Sequence, residues 1–268
     1  MMTYCAGLLL NDGLVLASDS RTNAGVDYVT TFSKMHVFNP APDRFFVLLS
    51  AGNLATTQGV INRITRDIEY PSGRASFLDA RYMFEAADYI GKVSLETQRE
   101  HAPALQSCGV SVETTLILGG QIKNQNPALM LIYPQGNYFE ATPETPYLQI
   151  GETKYGKPVL DRAVRAITHL EEGARLLLVS LDATMRSNAT VGPPFELAIY
   201  RRDALQIQHY LKLEANNPYL AELQQKWNKG LCDTLHSLPL FEWELAQSLA
   251  SKTLTESTAS DPGALNHP

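Results

Sequence analysis

Thr3 stands behind two methionines and opens the strand-like run Tyr4-Cys5-Ala6-Gly7-Leu8-Leu9-Leu10. A chain trimmed to Thr3 would carry a hydroxyl nucleophile and a free α-amino group on one residue, and that amine is a base for the hydroxyl. An α-amino group titrates near pH ~8, far below lysine's ~10.4, so it is available as a base close to neutrality. Asp19 follows Thr3 by 16 residues, across Asn11-Asp12-Gly13. Asp-Gly between apolar runs is a hairpin signal, and a hairpin of this length returns Asp19 to the side of Thr3. Lys34 comes 15 residues after Asp19, with a further extended pair between them. An ammonium beside the threonine hydroxyl favours its ionised form, and a carboxylate keeps that ammonium charged and oriented. Ser50-Ala51-Gly52-Asn53 closes an apolar run where a helix begins. Backbone N–H groups at such a junction point outward and can bind an oxyanion.

Taken singly these residues are ordinary. Asp19 would be a turn residue, Lys34 a guard against edge pairing, and Gly52 a turn glycine. Cys5 reads as a small buried residue of a strand rather than a nucleophile. The combination and its spacing carry the chemistry. The Met1-Met2 start raises a processing question. Aminopeptidase removal of Met before Met is disfavoured, so we expect translation from Met2, leaving Thr3 as the mature N-terminus.

The elements that must position these residues follow from periodicity. Tyr4–Leu10 and Gly13–Ala17 make the first hairpin, with short extended pieces at 26–31 and 34–38. Phe45–Ala51 is a continuous apolar run and reads as a buried strand. Helical spacing follows over Thr56–Tyr70 and Phe77–Arg99. Strands return at Glu113–Gly120, Ala128–Tyr133, Tyr138–Thr142 and Tyr147–Ile150, then helices at Lys157–His169 and Glu171–Met185. A last hairpin spans Phe195–Tyr200 and Leu205–Tyr210. Strand groups followed by helix pairs, joined by hairpins, predict an α+β fold: a four-layer α/β/β/α sandwich of mostly antiparallel sheets. Asn216–Trp243 reads as a C-terminal helical extension. The expected organisation is a domain over residues 3–212, an extension over 213–247, and a Ser/Thr-rich disordered tail over 248–268.

The 268 residues are 44% hydrophobic and 19% charged, with net charge −6, which suits a sizeable core. No basic run or basic-aromatic stripe suggests nucleic acid. No apolar stretch reaches transmembrane length, and the first residues do not form a secretory signal. Cys5, Cys108 and Cys232 are odd in number and widely spaced, against a disulfide framework or a zinc site. A reducing, cytoplasmic setting follows. The six histidines are scattered, so no metal or other cofactor is expected.

Thr3, Asp19-Ser20-Arg21 with Gly25, Lys34 and Ala51-Gly52 resemble the active-site elements of proteasome β subunits and of HslV, which are N-terminal-nucleophile hydrolases. The resemblance covers about residues 3–212, with Lys34 one residue earlier than usual in that family. Ser18–Gly25, Lys34-Met35-His36-Val37-Phe38, Gly151–Lys157 and Asp182–Asn188 are similar to the Anbu group of bacterial proteasome-like proteins. The resemblance implies that Thr3 attacks an amide carbonyl with its own amine as base. It implies that Lys34 favours the alkoxide, Asp19 pairs with Lys34, and the Gly52 N–H receives the oxyanion. Arg21 and Asn23 match the loop that lines a substrate channel, and Asp182 with Ser187 match an acidic-serine element that orients the amine. Asp182 and Ser187 stand five apart, wider than the family's spacing, and Gly151-Glu152 occupies the place of a family serine. A peptide or unfolded-protein substrate and a homo-oligomeric ring or spiral are implied, with an ATPase partner left open. Two other functions fit the same residues: an amidase or transferase acting on a small amide, and a catalytically silent proteasome-like shell.

Overall fold

The computed structural model describes residues 3–23, 29–71, 73 and 75–247. Tyr4–Leu10 (β1) and Gly13–Asp19 (β2) form the antiparallel hairpin anticipated from Asp12-Gly13. Arg21–Asn23 (β3) and Val29–Thr31 (β4) make a two-stranded ribbon. Met35–Ala41 (β5) and Arg44–Gly52 (β6) lead into helices Leu54–Glu69 (α1) and Met83–Gln106 (α2). Thr114–Ile122 (β7), Ala128–Ile132 (β8), Tyr138–Glu140 (β9) and Tyr147–Gly151 (β10) follow. Then come helices Lys157–Ala163 (α3) and Leu170–Ser187 (α4), strands Phe195–Arg201 (β11) and His209–Leu213 (β12), and helix Pro218–His236 (α5).

Among the described residues the strands form two five-stranded antiparallel sheets, in orders β10-β1-β2-β11-β12 and β5-β6-β7-β8-β9. Three buried clusters fill the gaps of a four-layer sandwich. One lies between the first sheet and α3 and α4, with Leu8, Val15, Leu177 and Leu181. A second lies between the other sheet and α1 and α2, with Phe46, Val60, Ile90 and Leu118. The third lies between the sheets, with Cys5, Leu16, Val47 and Leu129. Alternation decides the assignment, since successive strand residues face opposite sides. Tyr4, Ala6 and Leu8 enter the first cluster and Cys5 the third. Thr3, two residues before Cys5, therefore falls on the inter-sheet side.

Several elements differ from the expected boundaries, three of them for an identifiable reason. The second helix starts at Met83 rather than Phe77, because residues 77–80 satisfy their carbonyls elsewhere. The Arg44 guanidinium donates to Phe77 O and Leu78 O at 2.8 Å and to Ala80 O at 2.9 Å. Phe77 is then free to stack on Phe46, ring centroids 4.4 Å apart. The final strand starts at His209 rather than Leu205. Asp203 and Leu205 adopt left-handed backbone, and Tyr200 accepts the Leu205 N–H at 3.2 Å, which lengthens the turn. Helix α3 ends at Ala163, after which Thr168 accepts the Arg165 N–H at 3.0 Å in a separate turn. The third extended piece begins at Val29; residues 26–28 fall outside the described part.

The chain divides into two units, Met1–Gln224 and Gln225–Pro268, so the boundary falls within α5. In the second unit Leu231, Leu235, Leu238, Phe241 and Trp243 are exposed, and the Phe241 and Trp243 rings stack at 4.4 Å. The tail expected over 248–268 lies outside the described residues. Among the described residues, no helix is long and apolar enough to cross a membrane.

Candidate active site

The first hairpin and the following ribbon bring Thr3, Asp19 and Lys34 together. Asp19 closes β2 and is fully buried, and Lys34 is 6% exposed. The Lys34 Nζ donates to Asp19 Oδ1 at 2.6 Å and to the Arg21 carbonyl at 2.7 Å. The same Oδ1 accepts the Tyr4 N–H at 3.0 Å, and Oδ2 accepts the Gly192 N–H at 3.2 Å. One carboxylate oxygen thus holds both the ammonium and the peptide group that follows Thr3. Burial pushes the Asp19 carboxyl up from its ordinary value, while the Lys34 charge and the two backbone N–H donors pull it back. Thr3 and Lys34 border one cavity of about 520 Å³, lined also by Thr22, Ser50, Gly52 and His36. Burial lowers the His36 pKa from its usual value, with Glu196 opposing.

Strand β6 delivers Gly52 to the wall of this cavity. Asn53 then caps α1 by accepting the Thr56 N–H at 3.1 Å, so the helix starts at the cavity. Asn53 also donates its own N–H to the Glu113 carbonyl at 3.0 Å. That carbonyl passes so close that a Cβ on Gly52 would lie 2.3 Å from it, and Gly52 has φ +123. Only glycine suits both constraints. On the far side of Thr3, the Glu152 N–H donates to the Thr3 carbonyl at 2.7 Å. Gly151 has φ +84, and a Cβ there would lie 1.9 Å from the Thr3 oxygen. The Gly151-Glu152 pair is therefore seated against Thr3 itself. Asn188 Nδ2 donates to Glu152 Oε2 at 3.0 Å, and Asn188 Oδ1 accepts from Thr190 N and Oγ1 at 3.0 and 2.6 Å.

The remaining anticipated residues have other partners or lie outside the described part. Asp182 is buried on α4, where Oδ2 accepts from Arg186 Nε and Oδ1 from Gln224 Nε2, each at 2.8 Å. Ser187 is exposed at the end of α4, and neither it nor Asp182 lines the cavity. Ser180, also on α4, has its Oγ 2.6 Å from the Tyr4 hydroxyl. Burial pushes that phenol up to about 12, against hydrogen bonds from Ser180 and Gln149. The Arg21 guanidinium donates to Ala189 O at 2.8 Å, so this residue enters the site through its backbone carbonyl. Asn23 lies on β3, but its side chain, like Gly25, is outside the described residues. Cys5 is fully buried, its Sγ 3.7 Å from Ser50 O, and burial drives its thiol pKa strongly upward. A thiol so placed is a packing residue. Among the described residues no cluster of His, Cys, Asp or Glu could hold a metal ion.

Glu152, Asn188 and Thr190 were not singled out as site residues in the sequence. They belong to the loops after β10 and α4: the Glu152 N–H meets the Thr3 carbonyl, and Asn188 and Thr190 join Glu152 through a chain of hydrogen bonds. The run Gly151-Glu152 was the available signal, because a glycine at a strand end marks close backbone approach.

Comparison with known proteins agrees with this fold. A family model described as proteasome subunit matches residues 3–200. Anbu (ancestral beta-subunit) from Yersinia bercovieri is 39% identical, with TM-score 0.82, over 90% of this chain and 100% of that one. Anbu from Hyphomicrobium sp. strain MC1 is 39% identical, with TM-score 0.80, over 90% and 100%. The structure titled helical assembly of the Anbu complex from Pseudomonas aeruginosa is 41% identical, with TM-score 0.83, over 89% and 98%. No curated protein matches the chain.

Proposed function

Because this chain belongs to the proteasome subunit family, and within it to the Anbu group, we propose that it is a peptidase with Thr3 as its N-terminal nucleophile. The observation that carries the reading is Asp19 Oδ1. It accepts from the Tyr4 N–H and from the Lys34 ammonium at once, beside a cavity that Thr3 and Lys34 share. With Met1 and Met2 removed, the Thr3 amine takes the proton of its own hydroxyl as Oγ attacks a peptide carbonyl. The Lys34 charge favours the developing alkoxide, and the Gly52 N–H receives the carbonyl oxygen as it becomes an oxyanion. Collapse of the tetrahedral intermediate breaks the C–N bond, and the amine-borne proton leaves with the departing peptide. Water then attacks the threonine ester and restores the hydroxyl. The backbone of Arg21–Asn23 offers extended pairing to the substrate, as an added strand would.

Asp182 and Ser187 stay in this proposal as supports of α4 rather than as groups at the amine, since Asp182 is held by Arg186 and Gln224. Glu152 with Asn188 takes the place beside Thr3 that the family's serine element would fill. The exposed apolar residues after Gln224 suit contact with further copies of the chain. Such contact accords with the helical assembly named for the Pseudomonas aeruginosa relative. We place this activity in the cytoplasm, with peptides or unfolded protein as substrate.

A peptide epoxyketone tests the reading, because it requires a terminal amine and hydroxyl on one residue. Intact mass of protein made from its native start should show loss of the residues before Thr3, and then one covalent adduct. Thr3→Ala should abolish the adduct. A retained methionine, or an adduct that persists in Thr3→Ala, would overturn it. Cleavage of a peptide-length series against small amides separates a peptidase from an amidase.

A further inference from the structure

A buried carboxylate outside the proposed mechanism sits directly beside it. Glu196 lies on β11, opposite Ser18 in the pairing with β2, and is 4% exposed. Among the described residues its hydrogen-bond partners are hydroxyls, and no cation pairs with it. Tyr210 donates to Oε1 at 2.5 Å, and Ser33 reaches Oε2 at 2.8 Å and Oε1 at 3.0 Å. Ser20 and Ser18 approach Oε2 at 3.4 and 3.5 Å. A buried anion satisfied only by hydroxyls is costly to desolvate, so its placement calls for a role beyond packing.

The sequence positions of those hydroxyls suggest the role. Ser18 and Ser20 flank Asp19, and Ser33 immediately precedes Lys34. The Ser33 hydroxyl also accepts the Met35 N–H at 3.3 Å, just past Lys34, and its one proton is shared between Glu196 and the Met35 carbonyl at 2.8 Å. Glu196 belongs to the first sheet, whereas Lys34 leads into β5 of the second. The carboxylate thus ties the segment carrying Lys34 to the sheet carrying Asp19. Tyr210 covers it from solvent, and burial together with Glu196 raises that phenol's pKa.

We propose that Glu196 is a positioning residue for the Asp19–Lys34 pair, acting through Ser33 on the lysine and through Ser18 and Ser20 on the aspartate. It touches no reacting atom. The proposal rests on the reading of Thr3 as nucleophile for its kinetic consequences, but the tether itself is independent of that reading.

The test compares wild type with Glu196→Gln, Ser33→Ala and Tyr210→Phe, using a peptide epoxyketone and intact mass. Glu196→Gln keeps the shape and removes the charge. The maximal labelling rate should fall about tenfold in Glu196→Gln, with the half-saturating probe concentration changed less than twofold. Glu196→Gln/Ser33→Ala should be no slower than the slower single variant, because both cut one link. A purely structural role would instead lower the unfolding temperature and leave the labelling rate of folded protein unchanged, and that result overturns the proposal. If Glu196→Gln fails to fold, Ser33→Ala and Tyr210→Phe read the same tether and the same slowing is required of Ser33→Ala. If wild type does not react with the probe, it is the peptidase reading that fails. The tether is then judged by acylation of Lys34 with a small amine-reactive reagent, followed by peptide mapping. A several-fold faster acylation in Glu196→Gln and Ser33→Ala supports it, and a rate equal to wild type overturns it.

Discussion

Replacing Asp19 by Asn removes one charge from the buried pair while keeping its shape. Asp19 accepts three donors: Lys34 Nζ and Tyr4 N on Oδ1, and Gly192 N on Oδ2. Asparagine has one acceptor oxygen, so either flip points its NH2 at a donor. If the oxygen keeps Tyr4 and Lys34, the amide faces Gly192. If it keeps Gly192, the amide faces the ammonium. Removing one partner of a buried ion pair costs about 3–5 kcal/mol. Lys34 retains the Arg21 carbonyl and borders the cavity, so the lower end applies, about 3 kcal/mol. At about 2–4 °C per kcal/mol for a domain of this size, the unfolding temperature should drop by about 6–12 °C. The assay is thermal unfolding at fixed protomer concentration, since assembly would shift the midpoint by mass action. Epoxyketone labelling of the folded variant should slow by about 100-fold, the loss expected when preorganised charge beside a nucleophile is removed. The double variant Asp19→Asn/Lys34→Met should recover part of the stability, because no unpaired ammonium remains, but none of the labelling. A shift of less than about 2 °C, or labelling at the wild-type rate, would refute the claim that this pair holds Lys34 for Thr3.

Gly151→Ala should cost about 2–4 kcal/mol in a denaturant titration, because its Cβ would lie 1.9 Å from Thr3 O on left-handed backbone. Labelling at Thr3 should fall with it, since the same contact seats Thr3. Arg44→Met should cost about 2–3 kcal/mol in the same titration, because three carbonyls lose their donor. His36 has a folded-state pKa below its usual ~6.5, so the unfolded chain binds more protons as pH falls beneath that value. Its contribution is intact above pH ~6.5 and is lost as pH drops through the lowered value, so His36→Gln should flatten the fall in unfolding temperature between pH 7.5 and 5.

Residues whose placement depends on short chain separations were legible in the sequence. Thr3, Asp19 and Lys34 are linked by one hairpin and one ribbon, and turn chemistry at Asp12-Gly13 predicts their return. The four layers were legible because apolar alternation in strands differs from helical spacing. The site residues that stayed hidden depend on contacts across the whole domain. Glu196 reaches Ser33 over a separation of 163 residues, and no local pattern marks a strand glutamate as buried. Asp182 and Ser187 were named from residue type alone. Their residue types fit an amine-orienting element, but the register of α4 spends Asp182 on Arg186 and Gln224 and leaves Ser187 exposed. The early end of α3 and the late start of α2 were equally hidden, because Thr168 and Arg44 supply hydrogen bonds that helical backbone would otherwise make.

The same alternation that builds the core fixes which layer can hold chemistry. Cys5 on β1 and Leu16 on β2 face the second sheet, and Tyr4 and Val15 face the helices. Thr3 shares the parity of Cys5, and Ser18 and Glu196 share that of Leu16 and Ala198. Polar groups at the inter-sheet end of strands would ordinarily be unsatisfied, because neither sheet offers them free backbone. Here hydroxyls meet Glu196 on that side, while Asp19, of the opposite parity, takes an ammonium and two backbone N–H groups. A slip of one residue in β1 would move Thr3 to the helical layer and carry Tyr4 toward Lys34. Gly151 and Glu152 oppose that slip, since the close approach at Gly151 and the Glu152 N–H both address the Thr3 carbonyl. Register, more than any single side chain, therefore brings Thr3 to the cavity that Lys34 borders.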